Sequence, residues 1–342
     1  MTRPLITVLI TTYNYGQFIE ESIDSVFAQE FPADQIEVLV VDDGSTDDTS
    51  ERVMKYGSRI SYLYKPNGGQ ASALNLGFAN AHGEIVSLLD ADDFFAPTKL
   101  ARIAEAFERD RSLGLVYHRA KEWNAETGES YGDHFISISG DLRQHPERLA
   151  LYTPQPTTCV SFRRSVLAPL LPIPEDIRMN ADCFLVALVP FLAPVLAIAE
   201  FLSVYRIHGR NSFYVEDEHV PPDVRSKRLL TWQTVIAEMR AWLAIHNYSK
   251  DSPAVRSLIE RWDSLIDREA FALAPPGRVD YFRYLLRSYR HRVPLMTRRL
   301  MLLNYLDAFA ALVVGYRNFP RWTKWRESLL HRVTRRQNAI PS

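Results

Sequence analysis

Ile85-Val86-Ser87-Leu88-Leu89-Asp90-Ala91-Asp92-Asp93 is a largely apolar run that stops abruptly at three carboxylates. A short apolar run closed by a polar turn suits a strand buried on both faces. The same event occurs twice upstream, where Ile6 to Ile10 gives way to Thr11-Thr12-Tyr13-Asn14 and Ile36 to Val41 gives way to Asp42-Asp43-Gly44-Ser45. Between the runs, Phe18 to Gln29 places Ile19, Ile23, Val26 and Phe27 on one helical face, and Ser45 and Asp48 have the spacing of a capping box ahead of a second helix. Ile60 to Tyr64 reads as a further strand, Pro66-Asn67-Gly68-Gly69 as a turn, and Gln70 to Ala81 and Thr98 to Arg109 as helices. This alternation predicts an α/β fold with a mostly parallel sheet covered on both faces. Its ligands belong at the carboxyl ends of the strands.

Beyond residue 113 the alternation loosens. Leu113 to Tyr117, Thr157 to Phe162 and Val195 to Ile207 read as strands, and Arg164 to Leu170 and Asn180 to Val189 as helices. After Pro221-Pro222 the pattern is helical, which sets the expected division at residues 1–220 and a helical, basic region 221–342.

With 46% hydrophobic and 24% charged residues, the chain is neither disordered nor a small disulfide scaffold. Its net charge of −1 conceals a polarity: residues 1–270 carry 26 basic and 38 acidic side chains, residues 271–342 carry 14 and 3. The basic end suits an anionic surface, a membrane leaflet above a nucleic acid, or else neutralises the acidic part. Cys159 and Cys183 have no metal-like spacing, and the N-terminus does not read as a signal peptide. The expected location is therefore the cytoplasm. Residues 300–316 are the most apolar stretch, yet they include Asn304 and Asp307 and fall short of a bilayer span. Flanked by Arg298, Arg299, Arg317, Arg321, Trp322, Lys324, Trp325 and Arg326, they suit either an interfacial helix pair or an oligomer contact.

Carboxylates crowd the strand ends at Asp42-Asp43 and at Asp90, Asp92 and Asp93. Such clusters repel unless a hard divalent cation or ligand hydrogen bonds compensate, so a Mg²⁺ or Mn²⁺ site is expected. The D-x-D spacing is weak alone; its position between a buried run and a helix gives it weight.

Four segments, Val8 to Asn14, Val40 to Asp47, Asn67 to Gly77 and Leu88 to Asp93, resemble glycosyltransferase family 2 in order and spacing. With the later elements the resemblance covers roughly residues 5–212. It implies the GT-A fold and a nucleoside diphosphate sugar donor. Thr11 and Tyr13 match positions lining the nucleobase, and Asp43 matches the acceptor of the base imide N–H, which favours uridine or thymidine diphosphate, uridine first. Gly69, Gln70 and Asn75 match the segment passing the nucleotide, helix packing being the alternative for Gln70 and Asn75. Asp90 with Ala91 matches the ribose side, Asp92 the metal ligand, and Asp93 a supporting acid. Asp182 takes the place of the catalytic base, where the acid usual before it is replaced by Ala181; its alternative is a helix N-terminal acid. His208 matches a loop histidine that reaches the metal, and Arg206 or Arg210 could pair with phosphate. Aromatics between Trp123 and Asp141 would stack on an acceptor sugar or cover the core.

The resemblance thus implies an inverting, metal-dependent glycosyltransferase using UDP-sugar and acting on a glycan or lipid-linked hydroxyl in cell-surface polysaccharide or lipopolysaccharide assembly. Peripheral attachment to the inner membrane face would bring it to such acceptors, without nucleic acid. Two alternatives stand beside it. A non-catalytic nucleotide-sugar-binding scaffold would account for Ala181; a sugar nucleotidyltransferase lacks support, because Thr11 to Gly16 contains one glycine and no Lys or Arg.

Overall fold

The structure, a computed structural model, describes residues 4–132, 137–149, 152, 155–209, 211, 220–290 and 298–326. Four βα repeats open it: β1 (Ile6–Thr12), α1 (Gly16–Phe27), β2 (Ile36–Asp42), α2 (Thr49–Met54), β3 (Ser61–Tyr64), α3 (Gln70–Asn80), β4 (Ile85–Asp90), and, after the two-residue β5 (Phe94–Phe95), α4 (Lys99–Arg109). There follow β6 (Leu115–Asn124), β7 (Ser130–Gly132), α5 (Pro146–Leu149), β8 (Val160–Arg163), α6 (Ala181–Leu188) and β9 (Val195–Ile207). Helices α7 (Pro222–Ile245), α8 (Pro253–Leu273), α9 (Arg278–Arg290) and α10 (Arg298–Val314) complete the order.

The strands form one sheet in the order β3-β2-β1-β4-β8-β6-β9-β5, with β7 paired to β6. Strands β1 to β4 are parallel, as the alternation predicts. Beyond them the sheet is mixed, because β8 runs antiparallel to both β4 and β6. Register decides where the site falls. Thr11 pairs with Val41 and with Asp90, and Thr12 with Asp42, so the polar ends of three strands finish on one level.

Period-two alternation sends Ile6, Val8 and Ile10 to one face, where Ile19, Ile23 and Val26 of α1 and Leu100, Ile103 and Phe107 of α4 cover them. Leu9, Leu39 and Val41 face the opposite core, shared with Ala71 and Leu74 of α3 and Phe184 and Leu185 of α6. A Cβ on Gly77 would lie 2.4 Å from the Leu9 side chain, so that glycine lets α3 approach β1 closely. The same core continues through Trp232, Val235, Ile236, Met239 and Trp242 of α7 and Leu258 and Trp262 of α8. Pro221-Pro222 therefore opens a helix that packs on the sheet domain, while α9 and α10 share a separate cluster around Tyr281, Leu285, Ala308 and Ala311.

Three local expectations change. The capping box at Ser45 and Asp48 does not form; Ser45 Oγ instead accepts from the Asn14 N–H at 2.8 Å, Asn14 Oδ1 accepts from the Thr46 N–H at 2.7 Å, and α2 starts only at Thr49. Those two bonds pull the loop toward the end of β1. Residues Thr157–Cys159 form a 3-10 turn and only Val160–Arg163 a strand. Arg164–Leu170 is 3-10 rather than α, with Pro169 inside it to block an α-helical ladder.

Candidate active site

The strand ends border a cleft of about 1070 Å³. Thr11, Tyr13, Asp43, Gly69, Gln70, Asp90, Ala91, Asp92 and Asp182 all line it, and Lys227, Leu230 and Thr231 of α7 form part of its wall. His208 stands behind Asp92, its Nε2 3.0 Å from Asp92 Oδ2 and its ring 4.6 Å from that of Phe18. Asn75 is not among the lining residues: its amide exchanges two hydrogen bonds with the backbone of Ile173, at 2.8 and 2.7 Å, which is the packing role.

Asp43 is buried, accepting from Lys65 Nζ at 2.6 Å and from the Gly68 and Gly69 N–H groups at 2.9 and 2.7 Å. Asp42 is a turn residue: it accepts from the Ser45 N–H and the Tyr62 hydroxyl, each at 2.7 Å. Gly69 has φ +89, and a Cβ there would lie 2.8 Å from the Arg178 backbone. The residue must therefore be glycine.

That tight approach fastens two helix N-termini together. The Gln70 N–H donates to the Arg178 carbonyl at 2.9 Å, and Gln70 Oε1 accepts from the Ala181 N–H at 2.9 Å. Asn180, at φ +56 before α6, provides no side-chain cap, so Gln70 satisfies an N–H that the helix leaves open. Asp182 sits in the first turn of α6, where the helix dipole favours a carboxylate. Burial outweighs this and raises its pKa to about 6, with the Thr157 hydroxyl bond opposing.

Asp90, Asp92 and Asp93 bring ligand oxygens within 4.8 Å of one another. Burial, followed by the charges of Asp92 and Asp182, holds Asp90 well above the usual carboxylate range. Burial and then the charges of Asp92 and Asp90 do the same to Asp93. A divalent cation would relieve both the repulsion and the desolvation. Asp93 is the least suited to direct ligation, since its oxygens accept from Thr158 Oγ1 at 2.5 Å and the Arg206 N–H at 2.9 Å. Asp90 and Asp92, with His208 alongside, form an oxygen-rich set that fits Mn²⁺ or Mg²⁺, the imidazole suiting Mn²⁺ better.

The residues that hold this cluster were less visible in sequence. The Thr157 hydroxyl lies beside the two acids and opposes the effect of burial on both Asp90 and Asp182. Thr158 Oγ1 also accepts from the Asp90 N–H at 3.2 Å. Lys99 is fully buried, with Nζ 2.7 Å from the Thr158 carbonyl and 3.4 Å from the centre of the Phe95 ring. Arg206 faces inward rather than toward a phosphate: its Nε donates to the Asp92 carbonyl at 2.7 Å, it pairs with Glu21, and it lies against Phe18, Phe94 and Trp123. Trp123 thus covers this cluster; Arg210 and residues 133–136 lie outside the described residues.

Residues 7–171 match the family model described as Glycosyl transferase family 2. That segment is a family 2 glycosyl transferase domain. Among relatives, it is 35% identical over 218 residues to an uncharacterized glycosyltransferase of Nostoc sp., covering 60% of this chain and 66% of the relative. It is 44% identical over 97 residues to one of Rickettsia prowazekii, covering 28% of this chain and 30% of the relative. The chain thus spans just under two thirds of the first relative and less than a third of the second.

The family 2 fold is also shared with solved structures. S. aureus TarS 1-349 in complex with UDP is 20% identical, with a TM-score of 0.54 and coverage of 91% of this chain and 92% of that one. A mannosyltransferase of Pyrobaculum calidifontis in complex with GDP-Man and Mn²⁺ is 21% identical, with a TM-score of 0.54 and coverage of 96% and 86%. The GT-A fold is common to them.

Proposed function

We propose that this chain is an inverting, metal-dependent glycosyltransferase that moves a sugar from a nucleoside diphosphate donor to a hydroxyl of a glycan or lipid-linked acceptor, in cell-surface polysaccharide or lipopolysaccharide assembly at the cytoplasmic face of a membrane. The observation that carries this reading is a set of buried carboxylates facing one cleft: Asp90 and Asp92 at the end of β4, and Asp182 in the first turn of α6, near enough that its charge bears on Asp90.

Asp182 takes the proton of the acceptor hydroxyl as that oxygen forms a bond to the anomeric carbon, and the carbon–oxygen bond to the diphosphate breaks with its electron pair leaving on phosphate. A carboxylate with pKa about 6 is ionised at neutral pH and a stronger base than an ordinary aspartate. Asp92, with Asp90 and His208 beside it, would hold a divalent cation, which when bound would supply positive charge to the departing diphosphate. Asp90 orients the ribose, and Thr11 and Tyr13 flank the base. Because the fold is shared by a UDP complex and a GDP-mannose complex, the preference for uridine rests on Asp43. Its carboxylate already accepts three internal bonds, and with about four acceptor positions it retains room for one imide donor.

The test is calorimetric titration of UDP, TDP and GDP with and without Mn²⁺, followed by turnover of UDP-sugars. UDP binding that Mn²⁺ tightens, with that gain lost in Asp92→Ala, together with an Asp182→Asn variant that binds UDP but does not turn over, is expected. Binding without turnover in the wild type, over a broad donor and acceptor screen, would assign a scaffold instead.

A further inference from the structure

Helix α10 turns an apolar face outward. Leu302, Tyr305, Leu306, Phe309 and Val313 are the exposed side chains among residues 302–314, and Phe309 and Val313 are 61% and 72% accessible. Their spacing of three and four residues gathers them into one stripe about 100° wide. A solvated helix carries polar groups on that side; here the polar and small residues are turned in. Ala308 and Ala311 pack on α9, and the buried Asp307 accepts from Trp322 Nε1 at 2.9 Å and pairs with Arg326. Phe282 of α9 widens the apolar side through its ring contact with Phe309, and Trp325 is half exposed nearby in sequence, its ring 5.2 Å from that of Trp322.

Charge identifies what covers this face. Arg283 and Arg287 on α9, and Arg317, Arg321 and Lys324 after α10, are exposed cations. Residues 271–342 as a whole carry 14 basic and 3 acidic side chains. A second copy laid on the same face about a two-fold axis would set like charge against like. An anionic lipid surface instead offers acyl chains to the stripe and headgroups to the cations. No described helix is long and apolar enough to cross a membrane, so the helix would lie in the surface.

We infer that the outward face of α10, rimmed by Arg317, Arg321 and Lys324, docks on an anionic bilayer leaflet. This deepens the reading that the acceptor is presented at a membrane, but its test does not depend on catalysis. The full chain is floated with phosphatidylcholine vesicles and with vesicles that also contain phosphatidylglycerol, at low and high salt. Wild type is expected to float only with the anionic vesicles, and less at high salt. Leu306→Glu with Phe309→Glu should abolish flotation, and Arg317→Gln with Arg321→Gln should weaken it roughly fivefold per cation, the counterpart of about 1 kcal/mol each. Unchanged melting and UDP titration in these variants separate lost docking from lost folding. Equal flotation with neutral vesicles, no flotation of the folded wild type, or a dimer in ultracentrifugation that the Leu306→Glu, Phe309→Glu chain cannot form would each overturn the inference. Absent UDP binding in the wild type would count against the donor site alone.

Discussion

Lys99 Nζ, fully buried, donates to the Thr158 carbonyl at 2.7 Å, in the turn whose Thr158 hydroxyl meets both Asp90 and Asp93. Ser203 Oγ reaches the same carbonyl at 3.2 Å. Burial pushes the Lys99 pKa well down, and the nearby Cys159 and Asp93 oppose that. So costly a placement makes sense only if it fixes the turn. Replacing Lys99 with Met keeps the length and removes the donor. It should cost roughly 1–3 kcal/mol of stability and loosen the carboxylates. Thermal melting and Mn²⁺-dependent UDP affinity check this: both should fall, and a variant that melts lower but binds UDP as tightly as wild type would confine Lys99 to the core.

Asp182 sets a pH dependence of known sign. Its folded pKa of about 6 lies above the ordinary aspartate value of 3.8, so burial favours the protonated acid. Turnover, which the proposed role of Asp182 as base ties to its carboxylate, should fall about tenfold per unit below pH 6. Stability runs the other way. The contribution of the buried acid is complete below about pH 3.8 and is lost as pH rises through 6, a cost of roughly 2–3 kcal/mol at pH 8. Asp182→Asn should therefore melt higher than wild type at pH 8, show no such gain at pH 4, and lack turnover throughout. Equal melting shifts at both pH values would show that the carboxylate is not strained by burial.

The strand ends, the carboxylates and the first α/β repeats were legible because periodicity and abrupt polarity mark them locally. Register then carries Thr11 to Asp90 without further help. What was hidden is long range. Thr157 and Lys99 are ordinary residues by themselves: Lys99 and Thr158 are 59 positions apart in sequence, and only the fold brings Lys99 Nζ to the Thr158 carbonyl. Arg206 looked like a phosphate ligand because sequence shows its charge and not the Glu21 and Asp92 partners that bury it. Likewise the Pro221-Pro222 pair marks the start of a helix, whereas continuity of the core through Trp232 and Trp262 depends on packing.

Gln70 braces the start of the helix that carries Asp182. Its side chain accepts from the Ala181 N–H, one residue before the proposed base, at 2.9 Å. Gln70→Ala leaves that N–H without its partner at a buried helix start, for a loss of about 1–2 kcal/mol. Turnover should drop about tenfold while the KM for donor changes little, because Asp182 shifts and Asp92 does not. Gln70→Glu retains an acceptor oxygen and should recover part of the rate. A change confined to donor KM would instead place Gln70 in contact with the nucleotide.

Arg206 should not tolerate lysine. Its guanidinium serves the Asp92 carbonyl and Glu21 at once, with its carbon within 5.4 Å of the ring centres of Phe18, Phe94 and Trp123, and the backbone N–H of the same residue holds Asp93. A lysine ammonium offers neither the planar fork nor the stacking surface. Arg206→Lys is expected to lower stability by roughly 2 kcal/mol and to weaken Mn²⁺-dependent UDP binding about tenfold, because the Asp92 backbone loses its tether. UDP affinity measured without metal should change far less, since Thr11, Tyr13 and Asp43 are untouched. If Arg206 instead met the diphosphate directly, metal-free binding would fall as steeply, and the ratio of the two affinities tells the two roles apart.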